Sequence, residues 1–187
     1  MGCLLLWSLV PGCAFAPDTT PALDEAVGDP TLVSAARNYL GRLYTFGARG
    51  PDLDCMGLVF LAWTDAGRGP WQSLSVNPTE IVAKRQLGTP IPGLSPAASR
   101  TLDLSLFQPG DVIFFLSDAE NPREPALVTL QDVPLWVAHM GMYSGGPDHD
   151  FIVGDHYAGQ VVEEPLAPYL ALHDIYLAVY AVRPPAR

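Results

Sequence analysis

The signals for helices and the signals for strands fall in different halves of this chain. Three helix starts are marked by a capping side chain: Asp29 before Pro30, Asp54 before Cys55, and Asn77 in a capping-box pattern. Beyond residue 110, apolar segments bounded by Gly or Pro predict strands over 111–116, 137–144, 151–154, 160–163 and 174–183. This order predicts an α+β fold, with N-terminal helices packed on a C-terminal antiparallel sheet.

The expected helix ends follow from glycine and from loss of the helical pattern. The first helix should extend to about Leu40, because Gly41 follows it. The second should begin at Cys55 and end before Gly67, and the third should continue to about Leu87. The segment of most chemical interest is therefore the start of the second helix.

Cys55 is predicted to lie at the first turn of a helix, with Asp54 as its N-cap. Free amide groups and the positive end of the helix dipole face a side chain at this position. Such a field favours the thiolate and lowers the pKa of the thiol, which suits a nucleophile. The alternative is a small buried cysteine, because free cysteine is among the most buried residue types.

Three blocks of sequence resemble, in the same order, the NlpC-type family of papain-like cysteine peptidases, which remodel bacterial cell walls. They are Tyr39-Leu40-Gly41 with Tyr44-Thr45-Phe46-Gly47 and Asp54-Cys55-Met56-Gly57-Leu58, then Pro109-Gly110-Asp111-Val112-Ile113-Phe114-Phe115, then His139-Met140-Gly141-Met142-Tyr143. The resemblance covers residues 32–166 and implies a papain-like fold. Compared with the family pattern, Met56 replaces a serine, Phe46 a tryptophan and Ala48 a glycine, and the segment 116–137 is longer.

The resemblance implies a role for each matching residue. Cys55 would be the nucleophile and His139 the general base. The residue that orients the imidazole lies on the next strand of the family, and here we expect His156, with Asp155 as the alternative. Tyr44 matches a tyrosine near the developing oxyanion, although it could equally be a core aromatic residue.

Three further polar residues receive structural interpretations. Arg49 could meet a substrate carboxylate, but a solvated arginine is the simpler reading. His149 lies in a predicted hairpin turn and His173 precedes the last predicted strand, so both are expected to be structural.

The composition restricts the class of protein and its partners. The chain has 187 residues, of which 49% are hydrophobic and 16% charged, as expected for one globular domain. Its formal net charge of −10 opposes binding to nucleic acid. We expect a monomer with no cofactor.

The N-terminus is interpreted as an export signal covering residues 1–16, followed by a linker over 17–30 and the peptidase domain over 31–187. Its apolar run is too short to span a bilayer, and Ala14-Phe15-Ala16 has the form of a signal-peptidase site. Val10-Pro11-Gly12-Cys13 has instead the form of a lipobox, in which Cys13 would be acylated. A hydrophobic first strand is the third reading. Export would place the protein in the cell envelope or outside the cell.

Export would leave Cys55 as the lone cysteine of the mature chain, because Cys3 and Cys13 would be removed or lipidated. An unpaired thiol in an oxidising compartment is a liability unless it is buried or used. Cys55 with His139 and His156 also lacks the paired spacings of a structural zinc site, so no metal is expected.

The predicted function is a thiol hydrolase that cleaves an amide bond. By resemblance, the substrate would be the peptide stem of peptidoglycan, cut between D-glutamate and a diamino acid through a thioester. An amidase or acyltransferase acting on another small amide is the alternative among enzymes. A catalytically silent wall-binding or scaffold protein is the alternative from another class.

Overall fold

The computed structural model describes residues 28–186 of the chain. Four helices are present in this range: α1 (Pro30–Arg37), α2 (Cys55–Asp65), α3 (Pro78–Ala83) and α4 (Leu166–Leu172). The strands are β1 (Thr89–Pro90), β2 (Ala97–Ala98), β3 (Val112–Ser117), β4 (Val128–Leu130), β5 (Val133–Gly145), β6 (Asp150–Asp155), β7 (Gln160–Pro165) and β8 (Ala178–Arg183). The predicted export signal and the lipidation candidate Cys13 lie outside the described residues.

The first three helices begin where the capping residues predicted. Asp29 accepts hydrogen bonds from the backbone N–H groups of Thr31 and Leu32, and Asn77 accepts one from Glu80. Asp29 is also bonded to residues outside α1. Its backbone N–H donates to the carbonyl of Pro109 over 2.6 Å, and its carboxylate pairs with Arg68.

Two helices end earlier than predicted because tertiary contacts redirect the chain. α1 ends at Arg37 rather than Leu40, since the segment that follows pairs with the sheet. Gly41 there donates its N–H to the carbonyl of Val161 over 2.9 Å. α3 ends at Ala83 rather than Leu87, and Arg85 then takes a left-handed φ of 52° that turns the chain away.

The strands form one antiparallel sheet in the order β1-β8-β3-β5-β6-β7, with β2 paired to β8 and β4 to β5. The predicted α+β class with an antiparallel sheet is confirmed. β5 begins four residues earlier than predicted because β4 pairs with its first half. The predicted strand over 174–183 begins only at Ala178, after a turn in which Tyr176 donates its N–H to His173.

The two faces of the sheet are covered by different elements. α1 and α2 pack on one face, against Phe114, Met140 and Met142. The other face carries aromatic residues, including Phe115 and Phe151, and α4 packs there. None of the helices within residues 28–186 is long and apolar enough to cross a membrane.

Candidate active site

Asp54 holds the start of α2 in place through both oxygens of its carboxylate. Oδ1 accepts the backbone N–H of Gly57 over 2.6 Å, which is the expected N-cap bond, and Oδ2 accepts the N–H of Gly47 over 3.0 Å. Arg49 forms an ion pair with the same carboxylate. Arg49 is therefore a partner of Asp54 rather than a solvated side chain, and Cys55 is fixed at the first helical position.

The helix start approaches the sheet closely at Gly154 of β6. A Cβ atom at this position would lie 3.1 Å from the carbonyl carbon of Asp54 and 3.2 Å from the backbone nitrogen of Cys55. These are backbone atoms, so a side chain at this position would require the strand and the helix start to separate by a few tenths of an ångström. The contact places Cys55 where the pairing between β5 and β6 stops, beyond Gly141 and Val153.

Cys55 and His139 meet at this gap between β5 and β6. The backbone of Met140, the residue after His139, acts on the thiol of Cys55 and favours its ionised form. Both Cys55 and His139 line one cleft of about 460 Å³. The structure thus brings together the two residues predicted as nucleophile and base, which are 84 positions apart in the chain.

His139 is held between aromatic rings and is only 3% exposed. Tyr176 stacks on its imidazole with ring centroids 6.0 Å apart and an interplanar angle of 7°, and Phe115 lies at 6.0 Å. Its Nε2 is buried and has no hydrogen-bond partner among residues 28–186. The ring is oriented by packing, and one of its nitrogens is left without a polar contact.

Both candidates for the orienting residue lie close to His139, and neither is bonded to it. His156 follows β6, is exposed, and has its ring centroid 6.2 Å from that of His139. Asp155 is the last residue of β6, is 5% exposed, and accepts the N–H of Tyr157 over 2.7 Å. Extending the register from Gly141 and Val153 by two residues places Asp155 opposite His139.

Tyr44 lies at the same end of the sheet. Its ring centroid is 6.1 Å from that of His156, and the side chain is half-buried. Burial, together with the charges of Cys55 and Asp54, raises the pKa of Tyr44 to about 12. The hydroxyl therefore keeps its proton at neutral pH and can act as a hydrogen-bond donor.

Comparison with solved structures identifies this arrangement of helices and sheet. NlpC1 from Trichomonas vaginalis is 22% identical, with a TM-score of 0.54 over 89% of this chain and 47% of its own. NlpC2 from the same organism is 23% identical, with a TM-score of 0.54 over 88% and 49%. The chain has the NlpC-type, papain-like fold. It spans about half the length of either protein.

A further solved structure shares this fold. An N-acetylmuramoyl-L-alanine amidase from Bacteroides uniformis is 13% identical, with a TM-score of 0.59 over 84% of this chain and 100% of its own. No family model and no curated protein sequence matches the chain. At these identities the likeness establishes the fold alone.

Burial governs the charge states of the Cys55–His139 pair in this NlpC-type fold. Burial, followed by the negative charge of Asp54, raises the pKa of Cys55 to about 12, against the backbone hydrogen bonds from Met140 and Met56. Burial lowers the pKa of His139 to about 3. The expectation that the helix start lowers the pKa of the thiol was therefore wrong, because loss of solvent outweighs the helix field. These shifts favour the neutral thiol and the neutral imidazole near pH 7.

The buried neutral imidazole predicts a specific sensitivity to acid. The pKa of His139 falls from an ordinary 6.5 to about 3 on folding. Below pH 6.5 His139 is protonated in the unfolded chain but stays neutral in the native protein. The free energy of unfolding therefore decreases as the pH falls from neutral towards 3. Between pH 7 and pH 5 this group alone should lower the free energy of unfolding by about 2 kcal/mol. Urea denaturation at the two pH values measures the change.

A substitution that removes the titrating ring isolates this contribution. His139→Asn should lose about 2 kcal/mol less than the unsubstituted protein between pH 7 and pH 5. His149→Asn is the matched control, because His149 bonds to the hydroxyl of Tyr143 over 2.6 Å and is half-buried in a turn. Equal pH dependence in all three proteins would contradict a buried neutral His139.

The sequence did not predict which residues of the segment 116–137, or of the segment before α3, line the cleft. The longer segment 116–137 supplies Asn121, Arg123 and Glu124, and the segment before α3 supplies Val76 and Asn77. No local pattern marks these residues as belonging to a site. Phe46 is the exception, since it stands in the glycine turn before α2 and is 90% exposed at the cleft.

The remaining histidines lie away from the cleft. His149 bonds to Tyr143, and His173 stacks on Tyr157 with ring centroids 4.5 Å apart. No group of three or more His, Cys, Asp or Glu side chains within residues 28–186 is arranged to hold a metal ion.

Proposed function

We propose that this protein is a cysteine peptidase of the NlpC-type family, which hydrolyses an amide bond in peptidoglycan stem peptides between D-glutamate and the diamino acid. One observation carries the proposal. Cys55, at the start of α2, and His139, on β5, line one cleft although they lie 84 positions apart in the chain. The proposed substrate follows from the family resemblance and from the fold.

The reaction begins with proton transfer inside the neutral pair. His139 accepts the Sγ proton of Cys55, and the thiolate attacks the scissile carbonyl carbon. The backbone N–H of Cys55 and the protonated hydroxyl of Tyr44 are the donors proposed for the oxyanion. His139 then gives the proton to the leaving amine, and a thioester remains on Cys55. Water, deprotonated by His139, hydrolyses the thioester and restores the thiol.

We propose His156 as the residue that orients the imidazole, with Asp155 as the alternative. The ring of His156 lies 6.2 Å from that of His139, whose Nε2 has no partner among residues 28–186, and a change of its side-chain rotamer away from Tyr157 would be needed to bond it. Asp155 is buried nearby and would need to turn from the N–H of Tyr157. Either residue would stabilise the imidazolium that forms during the reaction.

Single substitutions should distinguish the two candidates. Loss of the orienting residue is expected to lower kcat/KM about ten- to a hundredfold, or about 1.4 to 2.7 kcal/mol of barrier. His156→Ala should show this loss, while Asp155→Asn retains an acceptor for Tyr157 and should change the rate little. The reverse result would assign the role to Asp155. Unchanged rates in both variants would place the orienting group elsewhere.

Digestion of purified muropeptides tests the proposed bond. Mass spectrometry of the products should show new fragments that begin with the diamino acid. Release of an intact stem beginning with L-alanine would instead support the second candidate, an N-acetylmuramoyl-L-alanine amidase, which the B. uniformis structure favours by sharing the fold over its whole length. Transfer of the acyl group to an added amine would support an acyltransferase.

The non-enzymatic alternative, a silent wall-binding or scaffold protein, predicts no turnover of any stem peptide. It also predicts that Cys55 forms no acyl-enzyme with an activated substrate ester. Trapping a thioester on Cys55 by mass spectrometry would exclude it.

We further propose that the protein is exported and acts as a monomer in the cell envelope. The support is the apolar run and lipobox form of the first 16 residues. Labelled palmitate incorporated into the full chain, and lost in Cys13→Ala, would establish a lipid anchor. A mature chain that begins at Pro17 would establish soluble secretion instead.

A further inference from the structure

We propose that Arg123 binds a carboxylate on the leaving-group side of the substrate, so that the enzyme prefers amides whose amine portion is an amino acid with a free carboxylate. This assignment rests on the proposed function, since it names the chemistry of the amide that Cys55 would attack. It gives a role to the longer segment 116–137, which supplies this arginine.

Among the charged side chains that line the cleft, that of Arg123 has no bonding partner among the described residues and is available to bind a ligand. Arg49 and Asp54 pair with each other, and His139 is neutral. Glu124 is occupied too: Oε2 accepts the hydroxyl of Thr79 over 2.9 Å, and Oε1 accepts the side-chain amide of Asn121 over 2.6 Å. Within residues 28–186, the guanidinium of Arg123 makes neither a hydrogen bond nor an ion pair.

The backbone that carries Arg123 is firmly attached to its surroundings. The bond from Thr79 to Glu124 ties the segment to the start of α3. The indole N–H of Trp136 donates to the carbonyl of Glu124 over 3.1 Å and ties it to β5. The cation therefore stands on an ordered wall, and less entropy is lost when a ligand binds.

The attachment to β5 joins the segment that carries Arg123 to the strand that carries His139. Trp136 precedes His139 by three residues, which is a span of about 10 Å along an extended strand. His139 gives its proton to the leaving amine, so the amine portion of the substrate lies over this part of the cleft. A carboxylate on that portion comes within reach of Arg123.

The net negative charge of the chain disfavours binding of a carboxylate ligand, and a cation in the cleft would offset this effect. At a formal net charge of −10, the protein as a whole repels an anionic peptide. A guanidinium with all its N–H groups free can pair with a carboxylate in a bidentate manner, which a lysine cannot. Arg123 thus supplies both attraction and orientation.

The test uses two peptides that differ only at the leaving amino acid. Both contain a γ-D-glutamyl–L-lysine bond, and the lysine ends in a carboxylate in one and in a carboxamide in the other. The unsubstituted enzyme should prefer the carboxylate peptide in kcat/KM, mainly through KM. Arg123→Gln should reduce this preference about tenfold, and Arg123→Lys should give an intermediate value. Arg100→Gln is the matched control, because Arg100 is exposed and lies outside the cleft.

The outcomes separate this inference from the proposed function. Equal preference in the unsubstituted enzyme and in Arg123→Gln, with both peptides cleaved, overturns the role of Arg123 and leaves the hydrolase intact. Cleavage of neither peptide argues against the proposed bond. Equilibrium binding to Cys55→Ala, measured by calorimetry, then decides the inference: tighter binding of the carboxylate peptide that depends on Arg123 supports it. Equal binding of both peptides, or no binding, overturns it.

Discussion

Replacing Cys55 with alanine is expected to abolish hydrolysis of the stem peptide while the protein stays folded. Without the proposed nucleophile, no thioester intermediate can form, and water would have to attack the amide directly. We therefore expect kcat to fall on the order of 10⁴-fold or more. The side chain is small and half-buried, and it carries no structural hydrogen bond for α2, whose start is held by Asp54. Initial rates measured by chromatography test the loss of hydrolysis, and thermal unfolding followed by circular dichroism tests whether the protein stays folded.

Two further variants serve as controls for Cys55→Ala. Cys13→Ala removes another thiol from the full chain and should leave hydrolysis by the purified protein untouched. Cys55→Ser replaces the thiol with a slightly smaller hydroxyl and should also be inactive, because an alcohol is much less acidic than a thiol and is harder for the proposed base His139 to activate. Full activity in Cys55→Ala would eliminate the thioester mechanism.

His139→Ala is expected to be nearly as damaging as the loss of Cys55. The thiol, with a pKa of about 12, cannot ionise alone near neutral pH, and the Cys55 proton then has no acceptor. We expect a loss of about 10³- to 10⁴-fold in kcat/KM. The double variant Cys55→Ala/His139→Ala should be no worse than the Cys55 variant, because residues that act as a unit are not additive.

His149→Ala serves as the histidine control for this experiment, since it changes a ring that contacts Tyr143 rather than the cleft. It should retain full activity. If His139→Ala were as active as this control, the base would be another group and the proposed proton transfer would be incorrect.

The helix starts could be predicted because they depend on short-range contacts. Asp29, Asp54 and Asn77 each bond to a backbone N–H two or three residues ahead, and such bonds are encoded by neighbouring residues. The helix ends depended on distant partners instead, as at Gly41, which bonds to Val161. α4 was missed because it follows Pro165 and has no capping side chain.

The pair of Cys55 and His139 was anticipated from the ordered motifs, but its charge state was not. A helix field can be inferred from the position of Cys55 in the sequence, whereas the loss of solvent around the thiol depends on how α2 packs against the sheet. The cleft wall was hidden for a similar reason. Glu124 and Thr79 are 45 residues apart, so no local sequence pattern predicts the hydrogen bond between them, which holds the segment of Arg123 at the cleft.

The high pKa of Cys55 also bears on how long the protein stays intact. Peroxides and disulfides react with thiolates, and a protonated thiol is a poor target for them. If Cys55 ionises only when His139 takes its proton, as proposed, oxidants should meet very little of the reactive form between turnovers. We therefore expect the raised pKa of Cys55 to slow its irreversible oxidation.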